Sequence, residues 1–220
     1  MRLLLALFAL LLTFGAPALA QEAAKAPAVS QEGVDLVLDN PAASVTFDEY
    51  LSYTCPHCAH FNAEAGPAIE DMAAKGVLRV RLIPAVRDPL DIAEAMLVRC
   101  AAPAHALTLH HAFFAGHEDL YNAARRVPAF YTDMATAKSD DIAAVAEAAG
   151  LADIAKTGGI DAAAYTACLG DQQALSTLQS SAMDSWKKIE GTPSFAINGT
   201  LLDANDWPTV QKRLEAALSR

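Results

Sequence analysis

At 220 residues, 53% hydrophobic and 19% charged, the chain can fill one sizeable core, which excludes global disorder. Its formal net charge is −10 and it has no Lys/Arg-rich run, which excludes a free nucleic-acid binder, since that class needs clustered positive charge.

The first stretch reads as a targeting signal rather than as fold. Arg2 precedes an apolar run over residues 3–14, and Ala18-Leu19-Ala20 supplies a small-x-small cleavage pattern. The run is about a dozen residues, short of the ~20 a spanning helix needs. A secretory signal over residues 1–20, cleaved after Ala20, is expected, and no cysteine lies near that point to carry a lipid. Export changes the meaning of the four cysteines. In an oxidising compartment an even count points to disulfides, whereas in cytosol metal binding or redox sensing would come first.

Residues 21–33 are rich in Ala, Gln and Glu and read as a short disordered lead, too short for a dimerisation domain. Residues 34–38 are a candidate strand closed by Asp39-Asn40-Pro41. The strongest strand pattern covers residues 44–53, where Val45, Phe47, Glu49, Leu51 and Tyr53 share one face. That face is apolar except for Glu49, so either the register is misread or the carboxylate is buried for a reason. Cys55-Pro56-His57-Cys58 follows and opens a helix to about residue 75, with Phe61, Ala65, Ile69 and Met72 at helical spacing and Gly76 as its stop. Gly66-Pro67 is expected to kink it. Residues 77–83 form another alternating strand.

From residue 91 to 189 the pattern is helical and Ala-rich, with segments at 91–102, 104–116, 129–136, 139–149, 161–169 and 171–189. Ser139, Asp161 and Asp171 are candidate N-caps, and Gly150 and Gly170 sit where helices stop. Leu175, Leu178, Ala182, Trp186 and Ile189 form a stripe that reads as core packing. Residues 194–197 and 200–203 flank Asn198-Gly199, a strong hairpin signal that outweighs the overlapping glycosylation sequon Asn198-Gly199-Thr200. A helix over residues 206–218 closes the chain.

The chemistry concentrates at Cys55. A helix N-terminus offers unpaired N–H groups and partial positive charge, which favour a thiolate at the first cysteine of a C-x-x-C. Cys55 is then the nucleophile, and Cys58, one turn further in, the resolving thiol. The rival readings are a static disulfide or half a zinc site. His60, His105, His110, His111 and His117 invite a metal reading too, but no second C-x-x-C completes a standard structural site, so none is expected.

These motifs resemble the DsbA-like branch of the thioredoxin superfamily: Cys55-Pro56-His57-Cys58 matches its active-site dipeptide, and Gly191-Thr192-Pro193 its cis-proline loop. The similarity covers about residue 34 to the C-terminus. It implies an α/β, thioredoxin-like fold over residues 34–88 and 190–220, with an inserted α-helical domain over 89–189. It implies that His57 stabilises the Cys55 thiolate, that Pro193 is cis, and that the Thr192 backbone pairs with an extended substrate. Glu49, six residues before Cys55, stands where that family carries a buried acid, and would exchange a proton with Cys58. Cys100 and Cys168 would form a second, structural disulfide, two buried free thiols being the alternative. The implied activity is periplasmic thiol–disulfide exchange with unfolded or partly folded exported proteins, by a monomer that a membrane redox partner reoxidises, without a cofactor. Thr192 leaves open a disulfide isomerase or reductase kept reduced by a membrane donor, and a copper or zinc binder using Cys55, Cys58 and His60 is the third reading.

Overall fold

The computed structural model of the chain describes residues 26–220 apart from residue 41, so the signal segment and its cleavage point lie outside the described residues. Six strands form one mixed sheet in the order β1-β2-β4-β3-β5-β6. They are β1 (Ala28–Glu32), β2 (Asp35–Asp39), β3 (Val45–Leu51), β4 (Leu78–Pro84), β5 (Ser194–Ile197) and β6 (Thr200–Leu201). Central β3 runs parallel to β4 and antiparallel to β5. The helix between β3 and β4, α1 (Pro56–Ala74), supplies the crossover that a parallel pair requires.

Alternation along β3 sorts its side chains between two faces. Phe47 and Leu51 join Phe61, Ala65 and Ile69 of α1 in the main core, where Phe47 stacks on Phe195 at 5.6 Å. On the opposite face Tyr50 meets Ile83 and Ile189. Glu49 belongs to the α1 side and is 5% exposed, flanked in register by Leu82 and Phe195. The alternation read from the sequence places Glu49 on this buried face, as the structure does.

The helical block consists of α2 (Pro89–Cys100), α3 (Pro103–Ala124), α4 (Ser139–Ala149), α5 (Leu151–Ala155), α6 (Ala162–Leu169) and α7 (Gln172–Trp186), and α8 (Trp207–Leu218) closes the chain. Asp161 and Asp171 cap α6 and α7 by accepting the amides of Ala164 and Ala174. Gly150 ends α4 in the left-handed conformation at φ 71°. Asn198 and Gly199 take φ values of 51° and 76°, the pair of positive angles a two-residue hairpin of this twist needs. Among the described residues no helix is long and apolar enough to cross a membrane.

Several expectations need correction. The lead is not disordered throughout: residues 28–32 pair with β2 as an edge strand, and Gln31 reaches the carbonyls of Val98 and Ala101. Ser139 does not cap α4. Its hydroxyl accepts from Gln172, while the Asp141 carboxylate takes the Lys138 amide at 3.0 Å. Residues 129–136 hold only a 3-10 turn, Pro128–Tyr131, because the Asp133 side chain captures the Ala135 amide and closes a local turn instead. Conversely α3 runs through Gly116 to Ala124, and a Cβ at Gly116 would lie 3.3 Å from Leu120. Helix α7 ends at Trp186, leaving Ile189 beyond it.

Cys100 and Cys168 are joined, with Cα atoms 6.2 Å apart and a sequence separation of 68. Closing a loop of that size removes chain entropy from the unfolded state worth about 4 kcal/mol. Replacing both cysteines by alanine is expected to lower unfolding free energy by about that amount. Denaturant titration of the oxidised parent and the double variant checks this.

Candidate active site

The site is assembled at the C-terminal end of β3. Cys55 is the N-cap of α1, in extended conformation, and Pro56 at the first helical position lacks only an amide that would have no helical partner. The next amides, those of His57 and Cys58, are free to point at the Cys55 sulfur. From the other end of the chain the Thr192-Pro193 peptide bond is cis. It brings the Thr192 carbonyl to 3.2 Å from Cys55 Sγ, where the thiol donates to it.

Both cysteines are buried free thiols, yet their surroundings push them in opposite directions. Cys55 is lowered to about 4, chiefly by a hydrogen bond from Cys58, then by the Thr192 side chain and the amides of Cys58 and His57, which together outweigh burial. Cys58 is raised, first by burial, then by the bond and charge of Cys55 and by the charge of Glu49. Burial alone lifts Glu49 to about 8, so it holds a proton at neutral pH. One thiol is therefore ready to ionise while its neighbour and the nearby acid stay protonated.

The expected residues Cys55, Cys58, Glu49, Thr192 and Pro193 come together. His57 comes only in part: its amide reaches Cys55, while its exposed imidazole lines an adjoining cleft of about 210 Å³ with His60, Phe61, Thr192, Pro193 and Trp207. His110, His111 and His117 of α3 make hydrogen bonds or ion pairs within the fold. His110 is buried and lowered to about 3, accepts from the Tyr53 hydroxyl at 2.9 Å and meets Asn62 at 3.2 Å. His117 Nδ1 lies 2.9 Å from the Tyr53 carbonyl, and His111 pairs with Glu70 at 2.8 Å. Among the described residues no group of three His, Cys, Asp or Glu side chains could hold a metal ion.

Sequence reasoning missed a buried polar network beside the site. Arg87, Asp88 and Asp91 hold the tripeptide Ser52-Tyr53-Thr54 that precedes Cys55. The Asp88-Pro89 pair at the start of an apolar helix is a readable N-cap signal. Nothing local in sequence ties it to residues more than thirty positions earlier.

A C-x-x-C at a helix start, facing a cis-proline beside a central strand, defines a thioredoxin-type thiol site. The family model described as Thioredoxin matches residues 31–216, and the chain belongs to that family. Its fold is that of DsbA-type members. The solved protein-disulfide isomerase from Novosphingobium aromaticivorans superposes with a TM-score of 0.75 at 27% identity, over 89% of this chain and 100% of that one. Wolbachia pipientis alpha-DsbA1 shares the fold with a TM-score of 0.68 at 17% identity, over 84% and 91%. A Rickettsia bellii protein provisionally named a protein-disulfide oxidoreductase is 24% identical over 189 residues, 84% of this chain. This chain spans 64% of that relative's length.

Proposed function

We propose that the protein is a periplasmic thiol–disulfide oxidoreductase that donates a Cys55–Cys58 disulfide to exported proteins. The observation that carries the reading is the split between the two thiols, Cys55 lowered to about 4 and Cys58 raised. A client thiolate attacks Cys55 Sγ and breaks the Cys55–Cys58 bond. Cys58 leaves as a thiolate and takes the proton held by Glu49. A second client thiolate then attacks the client sulfur of the mixed disulfide and expels Cys55, already stable as a thiolate. Two electrons pass to the protein, and a membrane redox partner removes them. Once Cys55 is in its disulfide it has no proton to donate to the Thr192 carbonyl, which then suits an extended client segment beside the cis bond, and the protein acts as a monomer on unfolded or partly folded clients. Stabilising the reduced thiolate makes the disulfide a better oxidant of others.

Iodoacetamide labelling of the reduced protein across pH tests this. Labelling of Cys55 is expected to rise with a midpoint near 4. A midpoint near the ~8.5 of an ordinary thiol overturns the reading.

A second reading, a disulfide isomerase or reductase, is favoured by the Thr192 side chain bonding Cys55 and by the name of the Novosphingobium structure. The resting state of the pair in cells separates the two. Mostly oxidised supports donation, and mostly reduced supports isomerisation.

A further inference from the structure

The residues just before Cys55 belong to a turn rather than to β3, so something must hold them. Every one of the three is held by the start of α2. Tyr53 gives its amide to Asp91 Oδ1 at 2.8 Å, and Asp91 Oδ2 takes the Arg87 amide at 3.1 Å. The Ser52 side chain also bonds Asp91. Thr54 donates its hydroxyl to Asp88 Oδ2 at 2.5 Å. Arg87 reaches back, Nε to the Thr54 hydroxyl at 3.1 Å and Nη2 to the Thr54 carbonyl. Asp88 Oδ1 accepts the Asp91 amide, so the bracket and the helix cap are one structure. Asp91 is 0% exposed and Thr54 1%, so water does not substitute for these bonds. The charged or titratable groups around the turn are its own Tyr53, Arg87, Asp88, Asp91 and Glu94 of the 87–94 segment, His110 and His117 of α3, and Glu49 of β3.

We propose that Asp91 is a positioning residue for thiol–disulfide exchange, holding residues 52–54 so that Cys55 Sγ stays aimed at the amides of His57 and Cys58. The physical ground is directional. A hydrogen bond to sulfur weakens steeply as donor and acceptor tilt out of line, and Cys55 is covalently next to the bracketed tripeptide. Asp91 never touches client or sulfur. It must accept two amides at once, which a carboxyl can do and a carboxamide cannot, since one arm of Asn is a donor. The helical segment, which would otherwise be cover for the sheet, thereby sets the reactivity of the thiol.

The inference rests on Cys55 being the reactive thiol. The test uses the full reduced protein, with iodoacetamide labelling of Cys55 against pH, melting temperature and circular dichroism measured together. In Asp91→Asn the labelling midpoint is expected to rise by about one unit, roughly tenfold less thiolate on the rising limb. Thr54→Val, which keeps side-chain shape but removes the hydroxyl's bonds to Asp88 and Arg87 Nε, should shift it in the same direction, and it decides the matter if Asp91→Asn does not fold. Asp161→Ala, which removes a helix cap away from the site, should lower the melting temperature and leave the midpoint alone. Folded Asp91→Asn and Thr54→Val proteins with the parent's midpoint overturn the bracket, even if they melt earlier. A parent whose own midpoint is that of an ordinary thiol overturns the function reading instead, so the two failures are distinct.

Discussion

Replacing Cys58 by alanine is expected to turn exchange into a covalent dead end, while replacing Cys55 by alanine should abolish it. At pH 7 a thiol lowered to about 4 is almost wholly thiolate. One raised above its ordinary range is thiolate in about 1% of molecules or fewer. Attack and attachment therefore belong to Cys55. Without Cys58 a mixed disulfide formed at Cys55 has no internal thiol to release it. In Cys58→Ala, adducts with a disulfide-containing peptide should accumulate on non-reducing gels and map to Cys55. In Cys55→Ala, oxidation of a dithiol peptide should fall by roughly a thousandfold, the scale of losing a covalent catalyst's nucleophile. Adducts mapping to Cys58, or turnover at the parent's level in either variant, would falsify the assignment of roles.

The second large effect concerns Glu49, whose replacement by glutamine should stabilise the protein and slow it. The carboxyl is raised from 4.5 to about 8 by burial, so the folded state binds a proton that the unfolded state releases between those values. The stability this proton confers is complete below pH 4.5 and is lost as pH rises through about 8. At pH 7 most of that loss has occurred, up to about 3 kcal/mol, and glutamine does not incur it. The difference in unfolding free energy between Glu49→Gln and the parent should grow from pH 4.5 to 8. Asp91 and Glu94 are also raised, but they are common to both proteins and cancel in the difference. The same substitution removes the proton that the Cys58 thiolate takes on leaving, so peptide oxidation near neutral pH should fall at least tenfold. Parallel stability curves for the two proteins would show that Glu49 is not buried as a neutral acid.

Much of this site can be read without coordinates, and the reasons are local. Period-two alternation put Glu49 on the apolar face of β3, and Asn198-Gly199 marked a turn that only positive φ allows. Asp161 and Asp171 act within one helical turn of themselves, so their capping roles are visible in order. What escaped is non-local or decided by competition. Residues 28–32 have little intrinsic strand character and become a strand because β2 offers an edge. Ser139 had the right chemistry for a cap, but Gln172 took its hydroxyl. The grip of Asp88 and Asp91 on residues 52–54 crosses more than thirty positions, and the carboxylates alone read as ordinary helix-start acids.

The cleft beside Pro193 also gives the molecule an optical property. The chain has two tryptophans. Trp186 is tied by its indole N–H to the Val86 carbonyl at 3.0 Å, behind the sheet. Trp207 stands in the cleft wall, edge-on to Phe61 with ring centroids 6.1 Å apart, within the same lining as His57 and Thr192. A segment laid along the cis-proline would change the polarity around one indole and leave the other as an internal reference. The emission spectrum thus reports occupancy of the groove without a label.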